Sequence, residues 1–301
     1  MRHHHLGSIV AVLLALIVSA SLASKYYRYP IHTPRPVPAS PKIVHLNGPT
    51  NRPQVAPNVK LVDAFAVPVL MYHRIADLTP AEAKSPLMRD LTVSPAHFEQ
   101  QVKYLVDNGF TCLLANEVED AVRSGKKLPE KAVAITMDDG YRDNFDCAFP
   151  ILSKYNVPAT IFIVTGTVGT SGHLTWANIH EMRPHPVGYG SHTVSHADLT
   201  ALGADQLDFE LRESKRVIES RLVQRITSVA YPSGQYNRAV TQKAEEIGYL
   251  AGWKKGGGPV QPRTDPFLLP RVRVNGYATL DDFKRKVWSG VETRKMSSEL
   301  D

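Results

Sequence analysis

The chain has 301 residues, 43% hydrophobic and 21% charged, a balance typical of a globular protein with a sizeable core. Its formal net charge of +6 at pH 7 comes from scattered Lys and Arg residues, which argues against a nucleic-acid partner and indicates only weak attraction to anionic surfaces. The two cysteines, Cys112 and Cys147, are too few for a disulfide framework or a zinc motif. They are either small buried side chains or, in an exported domain, one disulfide.

The first predicted element is an apolar run over residues 6–23, which follows Arg2 and three histidines. Its length is about the minimum that spans a bilayer. Residues 1–25 are therefore predicted to be either a cleaved signal peptide or an uncleaved membrane anchor. Both alternatives predict an extracytoplasmic protein, either secreted or attached to the cell membrane by an N-terminal segment that contacts it.

Three further segments follow along the chain. Residues 26–59 are rich in proline and lack periodicity, which predicts a semi-rigid linker, with an arm packed on the domain as the alternative. Residues 60–290 are predicted to form the catalytic domain. Residues 291–301 are predicted to be a C-terminal tail.

Within the domain, predicted strands and helices alternate. Apolar, β-rich runs predict strands at residues 67–73, 110–114, 132–137, 159–165, 188–191, 229–231 and 271–274. Helices are predicted from the N-cap Ser94 to Gly109, over residues 144–155, along the apolar face of Leu207 to Leu222, and over residues 237–247 and 280–288. This alternation predicts an α/β fold with a parallel sheet.

Polar residues that could bind a metal or take part in catalysis come directly after predicted strands. They are His73, Asp138, Asp139, His192, His196 and Ser233. A (β/α) barrel has its active site at the carboxyl ends of its strands, so this placement predicts a shared site.

One carboxylate and two histidines four residues apart predict a three-ligand metal site with open positions. A metal on Asp139, His192 and His196 would leave the adjacent Asp138 free as a general base. An Asp-Asp-Gly turn without function is the simpler alternative, and iron oxygenases also use two histidines and one carboxylate. Metal-assisted hydrolysis is preferred because an oxygenase gives no role to the second carboxylate.

The segments TMDDG, HTVSH and YPSGQYN, together with VPVLMYHRI and LPRVRV, resemble the motifs of NodB-type polysaccharide deacetylases, carbohydrate esterase family four. The resemblance covers residues 67–287 and is greatest to the exported poly-N-acetylglucosamine deacetylases. It implies a distorted (β/α) barrel and a divalent metal, most often zinc, with cobalt, nickel or manganese as alternatives. Asp139, His192 and His196 would be its ligands, and Asp138 the base.

The chain departs from the family pattern at two places. The family's Arg-x-Pro-Tyr motif reads Ala-Tyr-Pro-Ser at residues 230–233, so the arginine that orients the catalytic aspartate is missing there. Arg271 is the predicted replacement. The late Leu-x-His motif is also absent, so His73 is the predicted acid.

Substrate contacts are predicted around the third motif. Ser233, Tyr231 and Trp253 are predicted to contact the oxyanion or the substrate, with a backbone N–H of the Pro-Ser-Gly turn serving the oxyanion. Trp253 would also form a sugar-stacking rim with Trp176 and Tyr236. The remaining histidines of the domain are treated as surface residues: His97, His173, His180 and His185.

The sequence therefore predicts a metal-dependent hydrolase that removes N-acetyl groups from an N-acetylglucosamine polysaccharide such as poly-N-acetylglucosamine, peptidoglycan or a chitin-like polymer. One alternative is an O-acetyl esterase that acts on a xylan-like glycan with the same residues. The other is a non-catalytic glycan-binding domain.

Overall fold

The computed structural model describes residues 59–298 of the chain. The predicted N-terminal segment, nearly all of the predicted linker and the last three residues lie outside this range. Among the described residues, no helix has the length and apolar character needed to cross a membrane. Cys112 and Cys147 are both free thiols.

Strands and helices alternate along the described chain. The strands are β1 (Leu61–Val62), β2 (Val69–Tyr72), β3 (Arg74–Ile75), β4 (Thr92–Val93), β5 (Thr111–Leu113), β6 (Leu128–Pro129), β7 (Ala132–Met137), β8 (Ala159–Ile163), β9 (Val187–Ser191), β10 (Ser228–Ala230), β11 (Ala251–Trp253) and β12 (Val272–Arg273). The α-helices are α1 (Pro86–Leu91), α2 (Pro95–Asp107), α3 (Ala115–Ser124), α4 (Phe149–Tyr155), α5 (Trp176–Met182), α6 (Ala204–Leu222), α7 (Arg238–Ile247) and α8 (Leu280–Ser298). A π-helical turn, Asn144–Ala148, leads directly into α4.

The main sheet has the spatial order β11-β10-β9-β8-β7-β2-β12, and β5 pairs with the first half of β7. Every pairing in this sheet is parallel. The sheet curls into a half-barrel, which confirms the predicted distorted (β/α) barrel. Two short pairs, β1 with β6 and β3 with β4, lie outside it.

Strand β7 shows how the core is divided. All six of its residues are buried, as expected for a parallel strand covered on both faces. Val133 and Ile135 belong to the larger hydrophobic cluster, whereas Ala132 and Ala134 belong to a second, smaller one. Because successive side chains point to opposite faces of a strand, the same alternation places Asp138, just after β7, on the face of the smaller cluster.

The helix ends predicted from capping residues are confirmed. The Ser94 hydroxyl accepts a hydrogen bond from the His97 N–H at the start of α2, with Pro95 in the first turn. Asn237 caps α7 in the same way, and Gly248 ends that helix with a positive φ of 90°. These local signals act within a few residues, so the sequence is sufficient to place them.

The C-terminal helix is longer than predicted. Helix α8 continues through Gly290 to Ser298, so the expected domain end at residue 290 falls inside a helix. Gly290 packs so closely that a Cβ there would lie 2.3 Å from the Ala66 carbonyl oxygen. Beyond it, Val291 is buried and Arg294 pairs with Glu130. These tertiary contacts outweigh the low helix propensity of glycine.

Candidate active site

The residues predicted to be functional meet at the carboxyl ends of the parallel strands. His73 follows β2, Asp138 and Asp139 follow β7, and His192 follows β9. The backbone N–H of Asp138 donates to the Tyr72 carbonyl at 3.0 Å, which continues the pairing of β2 with β7 into the site. The parallel sheet therefore brings together residues that are far apart in the sequence.

Asp139, His192 and His196 form the one cluster among the described residues that could hold a metal ion. One ligand atom from each lies within 4.8 Å of the others. The Asp139 Oδ1 atom is 3.4 Å from His192 Nε2 and 3.5 Å from His196 Nε2. No direct hydrogen bond joins these atoms at such distances with good geometry, but an ion between them would have three ligands.

The orientation of His192 supports this interpretation. Its ring is buried, and Nδ1 lies 2.7 Å from the Ala230 carbonyl oxygen. Because a carbonyl can only accept, Nδ1 must donate, and the neutral ring presents the Nε2 lone pair to Asp139. A histidine ligand that donates its second N–H to a backbone carbonyl is a common arrangement in metal sites.

The Asp139 carboxylate gives a direct test of whether a cation fits. Its Oδ1 atom is buried and has no hydrogen-bond partner among the described residues. A buried acceptor without a partner is costly, and here it faces the Nε2 atoms of His192 and His196. A divalent cation would satisfy all three, and a set of two nitrogens and one oxygen suits zinc and similar metals.

The loops of the site contain strained backbone. Asp139, Thr193 and His196 have positive φ values of 71°, 69° and 60°. Such conformations cost roughly 1–3 kcal/mol each for residues other than glycine, and they collect at functional sites. Surrounding hydrogen bonds must therefore hold them, such as that from the His196 N–H to the Thr193 hydroxyl at 3.1 Å.

Asp138 and Arg271 form a buried, two-pronged ion pair. Arg271 donates from Nη1 to Asp138 Oδ1 at 2.6 Å and from Nη2 to Oδ2 at 2.8 Å. Burial would raise the pKa of Asp138, but the positive charge of Arg271 and its hydrogen bonds to the carboxylate outweigh it and hold that pKa well below its usual value. The geometry fixes the carboxylate in orientation and in its ionised form.

His73 lies at the same end of the barrel, half-buried after β2. Burial lowers its pKa, against the opposing effect of the Asp138 and Asp139 carboxylates. Its backbone carbonyl accepts a hydrogen bond from Asn144 at 2.9 Å. The segment that follows the two aspartates therefore also holds His73 in place.

The third motif forms an exposed turn near the site. Ser233 is exposed and has a positive φ of 54°. The next residue, Gly234, packs against the chain so closely that a Cβ would lie 2.3 Å from the Lys255 Cβ. Glycine is therefore required there, and the turn has little freedom to move.

The structure does not agree with the substrate contacts predicted for Tyr231 and Trp253, because both residues are buried. The Tyr231 N–H donates to the Trp253 carbonyl at 2.9 Å, and its hydroxyl donates to the Phe267 carbonyl at 3.0 Å. The Trp253 indole N–H donates to Glu119 at 2.8 Å. Both rings therefore belong to the interior. The prediction failed because an aromatic residue in a strand has the same sequence pattern whether it packs in the core or stacks on a sugar.

The predicted aromatic rim is therefore incomplete. Tyr236 is 37% exposed and stacks on Tyr231 with ring centroids 5.8 Å apart. Trp176 is half-buried on α5, where the Arg221 guanidinium lies over its ring. Of the three aromatic residues, Tyr236 alone combines exposure with a position near the third motif.

Sequence reasoning missed a cluster beside Asp139. Tyr141 lies near the Asp139 carboxylate. Burial raises the pKa of the Tyr141 phenol, and the negative charge of Asp139 raises it further. Its ring stacks on His173 with centroids 5.2 Å apart, and the Arg74 guanidinium lies 5.7 Å from the same ring. His173 was predicted to be a surface residue but is half-buried, whereas His97, His180 and His185 are exposed as predicted. The position of Tyr141, two residues after Asp139, was the available signal.

Comparisons with known proteins agree with this architecture. A family model described as polysaccharide deacetylase matches residues 125–252. The Bacillus subtilis (strain 168) protein YxkH, assigned to the polysaccharide deacetylases, is 35% identical over 217 residues, which are 72% of this chain and 74% of that protein. A poly-β-1,6-N-acetyl-D-glucosamine N-deacetylase of Staphylococcus epidermidis is 26% identical over 278 residues, covering 84% of this chain and 92% of the relative.

A solved structure shows the same fold. The deacetylase PplD of Streptococcus pyogenes, in complex with acetate, superposes with a TM-score of 0.70 and 30% sequence identity. The superposition covers 74% of this chain and 99% of that chain.

Proposed function

This chain belongs to the polysaccharide deacetylase family and is a hydrolase of carbon–nitrogen bonds other than peptide bonds, and from that premise we propose that it removes N-acetyl groups from an N-acetylglucosamine polymer with the help of a divalent metal. The observation that supports the proposal most directly is the unpartnered, buried Asp139 Oδ1 facing two histidine nitrogens. The ion pair of Asp138 with Arg271 beside it supplies the second requirement, a fixed base.

The proposed metal ligands are Asp139, His192 and His196. A divalent metal bound there would polarise the acetamide carbonyl and acidify a bound water, chemistry that zinc supplies well. Cobalt, nickel and manganese are the alternatives.

The proton transfers are assigned to Asp138 and His73. Asp138 would accept a proton from the attacking water, while Arg271 holds the carboxylate in orientation. As the water oxygen bonds to the carbonyl carbon and the C–N bond breaks, the protonated His73 would donate its proton to the departing amine. Burial lowers the pKa of His73, which makes the imidazolium a stronger acid but a less populated one, while the Asp138 and Asp139 carboxylates favour the charged form. The exposed Ser233 turn would offer a backbone N–H to the oxyanion.

The substrate assignment rests on the relatives. One of them is named for poly-β-1,6-N-acetyl-D-glucosamine, so a β-1,6-linked polymer is the first substrate to test. Peptidoglycan and chitin-like polymers present the same acetamide group on β-1,4-linked sugars.

The proposal also assigns the remaining segments. Residues 1–25 would direct export or anchor the chain in the membrane, residues 26–59 would link this segment to the domain, and the domain would act outside the cytoplasm. Fractionation of cells that produce the full chain tests this assignment, since a cytoplasmic product would contradict it.

The metal-dependent activity is tested by measuring acetate release from β-1,6- and β-1,4-linked N-acetylglucosamine oligomers. We expect release that stops after chelation and returns when zinc is added back, with the preferred linkage indicating the polymer. Acetylated xylan is the third substrate. Release from xylan alone would replace the proposal by an O-acetyl esterase, and no release from any substrate by the metal-loaded protein would favour a glycan-binding domain.

The proposed acid gives a prediction about leaving groups. Replacing His73 by alanine should lower kcat for acetamide cleavage by about 10²-fold and affect an activated aryl acetate far less, because a phenolate leaves without being protonated. Both substrates are assayed with the same enzyme preparation, and His180→Ala, an exposed position on α5, is the control. Equal losses on amide and ester would remove His73 from the role of acid.

A further inference from the structure

Resting on the proposed metal site, we infer that Glu210 is a positioning residue that holds His196 where it can bind the metal. Glu210 lies on α6, outside the motifs that the sequence analysis singled out. Its carboxylate reaches the loop between the two histidine ligands. The inference assigns it control over metal affinity without contact with the metal.

The contacts of Glu210 concentrate on two consecutive loop residues. Its Oε2 atom accepts from the backbone N–H groups of Val194 and Ser195, each at 2.9 Å. Its Oε1 atom accepts from the Ser195 hydroxyl at 2.6 Å. The three hydrogen bonds that this carboxylate accepts hold the loop immediately before His196.

The burial of Glu210 makes these bonds consequential. The residue is 2% exposed, and no Lys or Arg of the described chain forms a salt bridge with it. The buried carboxylate is therefore stabilised by the N–H and O–H donors of the loop. Hydrogen bonds to a charged acceptor are stronger than those between neutral groups. Without the carboxylate, the backbone N–H groups of the partly buried Val194 and Ser195 would lose their acceptor.

The three proposed ligands are not held equally. Asp139 directly follows β7, and His192 follows β9 with its ring fixed on the Ala230 carbonyl. His196 lies four residues beyond His192, has a positive φ of 60°, and its side chain is 39% exposed. Its position depends on the loop conformation, which Glu210 stabilises, so loss of Glu210 should affect this ligand most.

A neighbouring residue on the same helix provides a matched control. Ser214, one turn after Glu210, is hydrogen-bonded to the Ser191 hydroxyl at 2.8 Å. This contact joins α6 to the end of β9 rather than to residues 194–196. Ser214→Ala should therefore lower stability without selectively displacing His196.

The experiment measures the zinc affinity of the full chain by competition with a chelating dye, and the fold of each variant by circular dichroism. Glu210→Ala should bind zinc about 10- to 100-fold more weakly, the usual range for residues that support a metal ligand. Glu210→Gln should retain most of the affinity, since its amide oxygen can accept from the loop and its NH₂ group can donate to Ser195. Ser214→Ala should bind zinc as the wild type does.

A double-mutant cycle identifies the route of the effect. If Glu210 acts through His196, adding Glu210→Ala to His196→Ala should cause little further loss of zinc affinity. Ser195→Ala, which removes one of the three hydrogen bonds, should weaken zinc binding a few-fold and serves as the milder variant if Glu210→Ala does not fold.

Three outcomes would overturn the inference. They are wild-type affinity in a folded Glu210→Ala variant, wild-type affinity in Ser195→Ala when Glu210→Ala is unfolded, and fully additive losses in the cycle. A wild-type chain that binds no zinc, cobalt, nickel or manganese would instead contradict the proposed metal site itself, so the two failures are distinguishable.

Discussion

Replacing Asp138 by asparagine is expected to lower kcat for acetate release by about 10²- to 10⁴-fold, the usual contribution of a general base, while zinc remains bound. Asparagine keeps the shape of the side chain and can still accept a hydrogen bond from Arg271, but it cannot take a proton from the attacking water. The measurement is kcat together with the zinc content of the purified variant.

The control for this prediction is Asp139→Asn in the adjacent position. Because Asp139 is a proposed ligand, its variant should lose zinc and turnover together, as should His192→Ala. An Asp138→Asn variant with the activity of the wild type would contradict the proposed mechanism. Loss of zinc from the Asp138→Asn variant would indicate that Asp138, rather than Asp139, is the metal ligand.

Among the proposed substitutions, Arg271→Met is expected to lower the free energy of unfolding most. Removal of one partner from a buried ion pair typically costs about 3–5 kcal/mol, because the other charge is left without compensation. Here the uncompensated group is Asp138, which is 3% exposed. Its pKa should rise, and kcat should fall because Arg271 no longer holds the carboxylate in orientation. Urea unfolding measures the first effect and acetate release the second.

A second substitution separates the charge effect from lost packing. Adding Asp138→Asn to Arg271→Met removes the buried charge, so the double variant should be more stable than Arg271→Met alone. Arg271→Lys keeps a positive charge but not the two-pronged geometry, and it should retain more stability than activity. Equal stability of wild type and Arg271→Met would show that the ion pair contributes nothing to the fold.

The sequence predicted the ligand cluster because its signals are local. An apolar strand that runs into Asp138 and Asp139, and two histidines four residues apart after another strand, are patterns within a few residues. Parallel strands bring their carboxyl ends to one edge of the sheet, so the convergence followed from the α/β pattern. Arg271 and His73 were proposed from a family resemblance and its missing motifs, not from any local signal.

The aromatic residues could not be assigned in this way. Trp253 looks like a sugar platform in sequence, yet its indole N–H meets Glu119, 134 residues away, in the interior. Glu210 shows the opposite case. An acidic residue on an amphipathic helix gives no functional signal in the sequence, and its role is visible only where α6 packs on the loop before His196.

By itself, the sequence determined the α/β class, the helix ends marked by capping residues and the residues that form the candidate metal cluster, because strand pattern, capping and short motifs depend on neighbouring residues. Tertiary structure alone decided which arginine meets Asp138, 133 residues away. It also decided which aromatic rings are buried and which carboxylate holds the histidine loop. The reason is physical: desolvation and hydrogen bonding depend on what packs against a group, and that is set by the whole chain.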